Sequence, residues 1–133
     1  MKNALNHMEI SKLDHLVLTV KDLEKTIPFY VSVMGMKEEV FGNGRVALKY
    51  GSQKINLHEF GKEFEPKAHK PTPGSADLCF ITQTPLNDAM AHVKRCGVEI
   101  IEGPVERTGA NGPLLSFYFR DPDDNLIEVA NEI

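Results

Sequence analysis

The sequence predicts an α+β fold of two tandem βαβββ modules, whose strands form a curved, cup-like mixed sheet with the helices on its outside. Two observations predict this fold. The order strand, helix and three strands occurs twice along the 133 residues, and equivalent positions recur in the second half. His15 on the first strand corresponds to Asp77, and Asn56 in Ile-Asn-Leu corresponds to Glu128 in Ile-Glu-Val. We therefore expect a single domain spanning residues 1–133.

The first module is expected over about residues 12–60. Aliphatic residues at 13–20 predict a strand, and apolar spacing then predicts a helix that begins at Thr26 as N-cap and ends at Gly35. Turn signals divide the rest into three short strands. These strands are predicted at 37–41, 45–50 and 54–60, and a Pro- and Gly-containing linker at about 61–74 follows them.

The second module, about residues 75–131, repeats this order. A strand at 76–82 leads to Thr84 as N-cap and to a helix that ends at Gly97. Further strands are predicted at 98–102, 114–120 and 125–131. The glycines and prolines of residues 103–113 indicate a long mobile loop.

The bulk properties exclude several classes of function. The net charge is −4, the isoelectric point is about 5.7, and lysines and arginines are scattered among acids, so we expect no nucleic-acid partner. No stretch approaches the roughly 20 apolar residues of a membrane span. The first dozen residues lack the apolar run of a signal peptide, so we expect a soluble cytoplasmic protein. Cys79 and Cys96 lack metal-motif spacing and are expected to be reduced, structural thiols.

Polar side chains follow the non-helix face of several predicted strands. Because strand residues alternate between faces, the helix side is apolar and the other side is unusually polar. The polar face carries His15, Asn56, His58, Asp77 and Glu128. Such a face can simply be solvated. Two related halves that curve toward each other would instead bring together the four residues at equivalent positions, which are His15, Asn56, Asp77 and Glu128. Imidazole and carboxylate ligands at one point suit Zn, Ni, Co, Mn or Fe(II).

The two ends of the sequence resemble a known family. LDHLVLTVKDLEKTIPFYVSVMGM, near the start, and SFYFRDPDDNLIEVAN, near the end, are similar to the signatures of glyoxalase/bleomycin-resistance/dioxygenase proteins, the vicinal-oxygen-chelate superfamily. The resemblance implies paired βαβββ modules around a divalent metal, often in a homodimer. It implies metal ligands at His15 and Glu128, and its other ligand positions fall on Asn56 and Asp77. Glyoxalase I typically has Glu and His there, so His58 is a candidate for the missing imidazole.

The resemblance favours a metal-dependent lyase or isomerase similar to lactoylglutathione lyase. Its substrate would be a small oxygen-chelating molecule such as a methylglyoxal–thiol hemithioacetal, formed with glutathione or another thiol. Glu128 would be the catalytic base and Asp77 the second carboxylate. Arg107 would bind an anionic substrate group such as a glutathione carboxylate, and Asn56 would also contact substrate. The predicted metal ligands are His15, His58, Asp77 and Glu128.

Two other functions remain open at this point. An Fe(II) extradiol-type dioxygenase would need two histidines and one carboxylate, which here would be His15, His58 and Glu128. A non-enzymatic, antibiotic-binding resistance protein would use the same cup without metal, and it would favour a wider, more aromatic groove. The sequence also leaves open whether the modules pair within one chain or across a dimer.

Overall fold

A computed structural model describes residues 7–133 of the protein. Residues 1–6, which belong to the N-terminal dozen in which no signal peptide is expected, lie outside the described part. Ten elements follow in the predicted order. They are β1 (His15–Val20), α1 (Leu23–Ser32), β2 (Lys37–Phe41), β3 (Arg45–Tyr50), β4 (Gln53–Glu59), β5 (Asp77–Ile81), α2 (Leu86–Arg95), β6 (Glu102–Thr108), β7 (Pro113–Arg120) and β8 (Leu126–Glu132). None of the helices in residues 7–133 has the length and apolar character needed to cross a membrane.

The strands form two four-stranded sheets with the same topology. Their orders are β1-β4-β3-β2 and β5-β8-β7-β6. In each sheet the first and fourth strands of the module run parallel, and the remaining neighbours are antiparallel. The prediction of two βαβββ modules is therefore confirmed.

Helix α1 begins earlier than the sequence indicated. Asp22, not Thr26, is the N-cap, and its carboxylate accepts a 2.9 Å hydrogen bond from the backbone N–H of Glu24. Pro28 lies inside the helix, where it removes one backbone donor. The side chain of Thr26 is buried in the interior instead. The prediction was wrong because a well-placed aspartate cap and burial outweighed the local effect of one proline.

The segment after α2 also differs from the prediction. Residues 98–102 do not form a separate strand, and most of the expected loop 103–113 is strand β6, Glu102–Thr108. Its pairing with β7 shifts between Glu102 and Val105, so Gly103 and Pro104 occupy a bulge. Glycine and proline are common at such bulges, and this explains why their presence suggested a loop. Helix α2 likewise has Pro85 at its N-cap, without the side-chain cap expected from Thr84.

The two modules pack through their helix sides. One apolar core contains residues from the helix-side faces of both sheets, including Leu48 and Ile55 from module one and Phe119 and Ile127 from module two. Aromatic contacts cross between the modules, with 5.4 Å between the ring centroids of Tyr50 and Phe80. Each sheet therefore presents its opposite, more polar face away from the shared core.

A histidine also contributes to this contact between modules. His92 lies on α2 with Nε2 3.0 Å from the backbone oxygen of Val33 and 3.2 Å from that of Ser32. These carbonyls are at the end of α1, where helical carbonyls lack intrahelical partners. The imidazole therefore joins the two helices.

Candidate functional site

The two sheets place the candidate residues at equivalent positions. His15 starts β1 opposite Lys54, and Asp77 starts β5 opposite Leu126. Two residues further along the same parallel pairs, Val17 lies opposite Asn56, and Cys79 lies opposite Glu128. The correspondences that the sequence predicted, His15 with Asp77 and Asn56 with Glu128, thus hold in the strand register.

These equivalent residues lie on two separate surfaces of one chain. We call the polar side of the first sheet, which carries His15, Arg45, Lys54, Asn56 and His58, the module-one face. The polar side of the second sheet, which carries Asp77, Cys79, Tyr118 and Glu128, is the module-two face. Both faces point away from the shared core. Within residues 7–133, no group of three or more His, Cys, Asp or Glu side chains is placed to hold a metal ion.

His15 has the surroundings of a histidine that can bind a metal. Its Nδ1 lies 2.9 Å from a carboxylate oxygen of Asp14, and its side chain is 40% exposed. When Nδ1 donates this hydrogen bond, the lone pair of Nε2 is free for a metal ion, an arrangement common among metal-binding histidines. The same hydrogen bond lowers the pKa of Asp14.

Asn56 carries a buried acceptor without a partner. The residue is 5% exposed, and its Oδ1 makes no hydrogen bond within residues 7–133. Burying an amide oxygen without a partner is unfavourable by about 1–3 kcal/mol. A ligand on the module-one face would remove this cost by donating to Oδ1 or by coordinating it.

His58 lies too far along β4 to share an ion with His15 in the same module. The parallel register pairs His15 with Lys54 but Thr19 with His58, so four residues separate the two histidines along the strands. At about 3.3 Å per residue this is about 13 Å. The structure therefore does not bring these two predicted metal ligands together.

His58 nevertheless has an unusual environment. It is 3% exposed, and its Nε2 has no hydrogen-bond partner in the part of the chain that the structure describes. Its ring contacts that of Phe64 in the linker, with 5.7 Å between the centroids. Burial lowers its pKa, the nearby Arg45 cation lowers it further, and Glu63 opposes the shift. The imidazole is accordingly neutral at pH 7.

Glu128 is the centre of the module-two face. It lies between Cys79 on β5 and Tyr118 on β7 in the strand register. Burial raises the pKa of the Cys79 thiol to about 11, and the charge of Glu128, its hydrogen bond to the thiol and the charge of Asp77 add to the shift. Burial also raises the pKa of Tyr118, and Arg107 opposes this shift. Near neutral pH, Glu128 is therefore flanked by two protonated donors.

Arg107 is held on β6 rather than on a mobile loop. Its Nε donates a 2.9 Å hydrogen bond to the hydroxyl oxygen of Tyr118, and its Nη2 lies 3.1 Å from a carboxylate oxygen of Glu102. Together with Asp77 and Glu128 it lines a groove of about 440 Å³. Three predicted site residues, Asp77, Arg107 and Glu128, thus meet on one face.

Several contributors to the two faces were not singled out from the sequence. They are Asp14, Arg45, Lys54, Glu102 and Tyr118. The signal for Tyr118 was its place in an alternating strand that pairs with the strand of Glu128. The interactions of Arg45 with Phe64 depend on how the linker lies on the sheet, and no local pattern reports this.

Two βαβββ modules with the same strand order place this chain in the class of α+β proteins built from paired modules of this kind. The chain belongs to the glyoxalase/bleomycin resistance protein/dioxygenase superfamily, whose family model matches residues 12–129.

Similar proteins have been found in several bacteria. Virulence protein STM3117 of Salmonella typhimurium is 56% identical over 126 residues, which cover 95% of this chain and 88% of that protein. Its crystal structure has a TM-score of 0.93 and covers 95% of this chain and 100% of the crystallised one. An integron cassette protein of Vibrio cholerae is 63% identical, with a TM-score of 0.94 and coverage of 96% of this chain and 99% of that one.

A more distant structure was crystallised with a metal ion. It is a mutant of the fosfomycin resistance protein FosX from Listeria monocytogenes, complexed with Mn(II) and a dihydroxypropylphosphonic acid. The identity is 27% and the TM-score is 0.63, with coverage of 92% of this chain and 90% of that chain.

Proposed function

We propose that this protein is a metal-dependent, glyoxalase-like lyase or isomerase whose site is completed by a second copy of the chain. One observation carries the proposal: equivalent residues of the duplicated modules occupy two outward faces of one chain, so each face holds half of a ligand set. A homodimer that joins the module-one face of one copy to the module-two face of the other would unite His15 and Asn56 with Asp77 and Glu128. Manganese in the related FosX supports a divalent metal here.

The surfaces of the two faces favour this pairing. The edge strands β1 and β5 expose Val17 and Ile81, which are 46% and 47% accessible, on the polar side of each sheet. Contact between copies would bury this apolar area. The module-one face carries the cations Arg45 and Lys54 and the module-two face carries the acids Asp77 and Glu128, and this difference in charge favours one face binding the other over like binding like.

The donor set fits a divalent metal only when both faces contribute. His15, Asp77 and Glu128 would hold the ion, and this mixture of imidazole and carboxylate suits Zn, Ni, Co, Mn or Fe(II). When bound, the metal would polarise two neighbouring oxygen atoms of a substrate such as a methylglyoxal–thiol hemithioacetal.

The protein's own residues have distinct roles in this proposal. Glu128 accepts a proton from one substrate carbon. Asp77 is the second carboxylate, which assists return of the proton to the adjacent carbon. Asn56 Oδ1 accepts a hydrogen bond from a substrate hydroxyl. Arg107 orients the hydroxyl of Tyr118 beside Glu128, and its remaining N–H groups contact an anionic part of the substrate.

The iron dioxygenase is the weaker alternative. It requires His15, His58 and Glu128 on one ion, whereas the two histidines are about 13 Å apart along the strands of one module. The antibiotic-binding alternative is also less favoured, since ionisable groups dominate both faces.

Elemental analysis after reconstitution with Ni, Zn, Mn and Fe(II) tests the proposal. We expect the wild type to retain one of these metals near one ion per chain, and H15A, D77A and E128A to lose most of it. H69A and E106A are matched controls, because His69 and Glu106 are exposed and lie outside both faces. The loaded wild type should convert the hemithioacetal of methylglyoxal and glutathione to a thioester, followed by ultraviolet absorbance. Equal metal content in H15A, E128A and the wild type would overturn the assignment.

A further inference from the structure

Two cations gather around one aromatic ring on the module-one face. Lys54 Nζ lies 3.9 Å from the centroid of the Phe41 ring, and Arg45 Cζ lies 5.1 Å from the same centroid. Arg45 Cζ is also 5.0 Å from the ring centroid of Phe64, which belongs to the linker. The guanidinium is thus held by two aromatic rings, one from β2 and one from the linker, and its N–H groups remain available to a ligand.

Neither cation makes an ion pair within 4 Å in the described part of the chain, although the charge of Lys54 helps to lower the pKa of Asp14. The ion pairs found there that involve lysine or arginine join Lys49 to Glu39, Lys62 to Glu59, Lys67 to Glu65 and Arg107 to Glu102. Arg45 and Lys54 are nevertheless half-buried. Two partly desolvated like charges near each other repel, and aromatic rings compensate only part of this cost. A bound anion would stabilise both.

The strand surface near these cations carries buried polar atoms that lack hydrogen-bond partners among the described residues. Lys54 precedes Asn56 and His58 on the same side of β4, and Asn56 pairs with the small, fully buried Ala47. Arg45 adjoins Val46, the partner of Leu57, so it lies beside His58. Asn56 and His58 are more than nine-tenths buried, and neither Asn56 Oδ1 nor His58 Nε2 has a hydrogen-bond partner among the described residues. The two cations and the two unpartnered buried polar atoms therefore lie along the same face of β3 and β4, with Arg45 beside His58 and Lys54 two residues before Asn56.

We propose that Arg45 and Lys54 form an oxyanion-binding subsite, with His58 and Asn56 at its base and Phe41 and Phe64 holding the cations in place. A carboxylate or phosphate group of a small-molecule substrate occupies it. Guanidinium and ammonium groups bind such oxygens through charge-assisted hydrogen bonds. This subsite is separate from Arg107, which already interacts with Glu102 and Tyr118 on the other face.

The position of the subsite specifies a substrate class for the proposed enzyme, and to that extent it rests on the proposed function. His58 follows Asn56 by two residues on β4, about 6.6 Å along the strand. A substrate whose chelating oxygens lie near His15 and Asn56 would therefore carry its anionic group several atoms away, at Arg45. A hemithioacetal formed with a thiol that bears a carboxylate has this character.

Binding of simple anions to metal-free protein tests the subsite without requiring catalysis. The probes are propionate, inorganic phosphate and, as a neutral analogue of propionate, propionamide, followed by ¹H–¹⁵N NMR in low-salt buffer containing a chelator. We expect propionate, phosphate or both to shift the amide signals of Phe41, Arg45, His58 and Phe64 saturably, and propionamide to leave them unchanged. The variants R45Q and K54Q should each bind about tenfold more weakly.

K49Q is the matched control, because Lys49 lies on the same face but is 53% exposed and already interacts with Glu39 at 3.8 Å. It removes the same charge and should leave anion binding within about twofold of wild type. Equal weakening in K49Q and R45Q, equal shifts with propionamide, or no binding of either anion to wild type would overturn the subsite. The anion-binding experiment is done in the presence of a chelator, so it does not depend on a bound metal. If elemental analysis finds that the protein retains no metal, the proposed enzyme is overturned, but anion binding at this subsite is not. Amide spectra of the variants establish that each is folded.

Discussion

The hydroxyl of Tyr30 donates a 2.6 Å hydrogen bond to the carboxylate of Asp121, and this buried bond joins the helix of module one to the last turn of module two. The other interactions of Asp121 shape that turn. Its carboxylate accepts hydrogen bonds from the backbone N–H groups of Asp123 and Asn125 and from the side-chain amide of Asn125. Tyr30 belongs to the first of the two segments that resemble the family's signatures and Asp121 belongs to the second, so the two segments meet in space and stabilise the packing of the modules.

Replacing Tyr30 with phenylalanine should lower the free energy of unfolding by about 2 kcal/mol. A buried hydrogen bond to a charged group contributes roughly 1.5–3 kcal/mol, and removing the hydroxyl leaves one Asp121 oxygen with fewer donors. Burial and the charge of Asp121 raise the pKa of Tyr30, so the hydroxyl remains a donor across the neutral range. Urea denaturation at pH 7 measures the change.

Y50F is the matched control for this measurement. Tyr50 also packs between the modules, against Phe80, but no hydrogen bond from its hydroxyl is found within residues 7–133. We expect its unfolding free energy to stay within about 0.5 kcal/mol of wild type. A Y30F protein as stable as Y50F would show that the Tyr30–Asp121 bond contributes little.

The sequence predicted the order of elements and the polar faces because both depend on local patterns. Alternation along β4 placed Asn56 and His58 on one side, and internal repetition matched Asn56 to Glu128. Alternation cannot show which surface that side meets. In the structure the helix sides of the two sheets pack against each other within the chain, and the polar faces lie outside. The sequence pattern is the same whether the four residues meet within one chain or between two copies, so it could not predict which arrangement occurs.

Mixing two inactive variants should restore activity if the site forms between copies. H15A lacks the proposed ligand of the module-one face but retains Glu128 on the module-two face. E128A lacks Glu128 but retains His15. In a randomly mixed population about half of the dimers contain one of each chain, and each such dimer has one intact site of two. Mixed protein should therefore recover about a quarter of the wild-type metal content and activity. Co-expression followed by elemental analysis and the thioester assay measures it.

The result separates the two possible arrangements. If both halves of the site came from the same chain, every chain in the mixture would lack one ligand and recovery would be near zero. Two chains with the same defect, such as H15A co-expressed with a differently tagged H15A, provide the background. Sedimentation velocity of the mixture should show a dimer, and a monomer at micromolar concentration would contradict the proposal.

The departure at β6 and the contacts made by the linker both depend on segments that are distant in sequence. Glycine and proline in residues 103–113 and 61–74 indicate irregular backbone, yet the same residue types occur at a bulge within a strand. Long-range pairing of β6 with β7 decided the first case. In the second, Phe64 lies against Arg45 and His58, so part of the expected linker contributes to the module-one face. Neither the pairing of β6 with β7 nor the packing of Phe64 can be predicted from the residues next to it in the sequence.

Gly103 should be far less tolerant of alanine than Gly97. Both have positive φ, 120° and 81° respectively. A Cβ at Gly103 would lie 2.6 Å from Cα of Phe117 and 2.7 Å from the backbone oxygen of Ser116. A Cβ at Gly97 would meet no atom of the described residues within 4 Å. G97A should lower the free energy of unfolding by about 1–2 kcal/mol through backbone strain alone.

G103A adds a collision with the backbone of β7, which cannot move without breaking the sheet. We expect a loss of more than about 4 kcal/mol, or insoluble protein. Thermal denaturation followed by circular dichroism compares the two variants. Equal melting temperatures for G103A and G97A would show that β6 and β7 approach less closely at the bulge.

Cys79 should react slowly with alkylating reagents although it is exposed, and Glu128 should be one reason. Its pKa of about 11 leaves only about one thiol in a thousand ionised at pH 8, and the thiolate is the reactive form. The measurement uses the C96S background, so that Cys79 is the only thiol, with iodoacetamide and mass spectrometry. Because the pKa is raised, the rate should increase as the pH rises toward about 11.

Substitutions of the neighbouring acids should accelerate this reaction in a defined order. Burial is the largest cause of the raised pKa and remains in every variant, so even the fastest should react more slowly than a free thiol. The charge and hydrogen bond of Glu128 come next, and the charge of Asp77 is smaller, so E128Q should increase the rate at pH 8 more than D77N does. E106Q, which removes an exposed acid of β6, should leave the rate unchanged. An E128Q rate equal to that of the C96S parent would mean that Glu128 and Cys79 do not interact as their register on β8 and β5 implies.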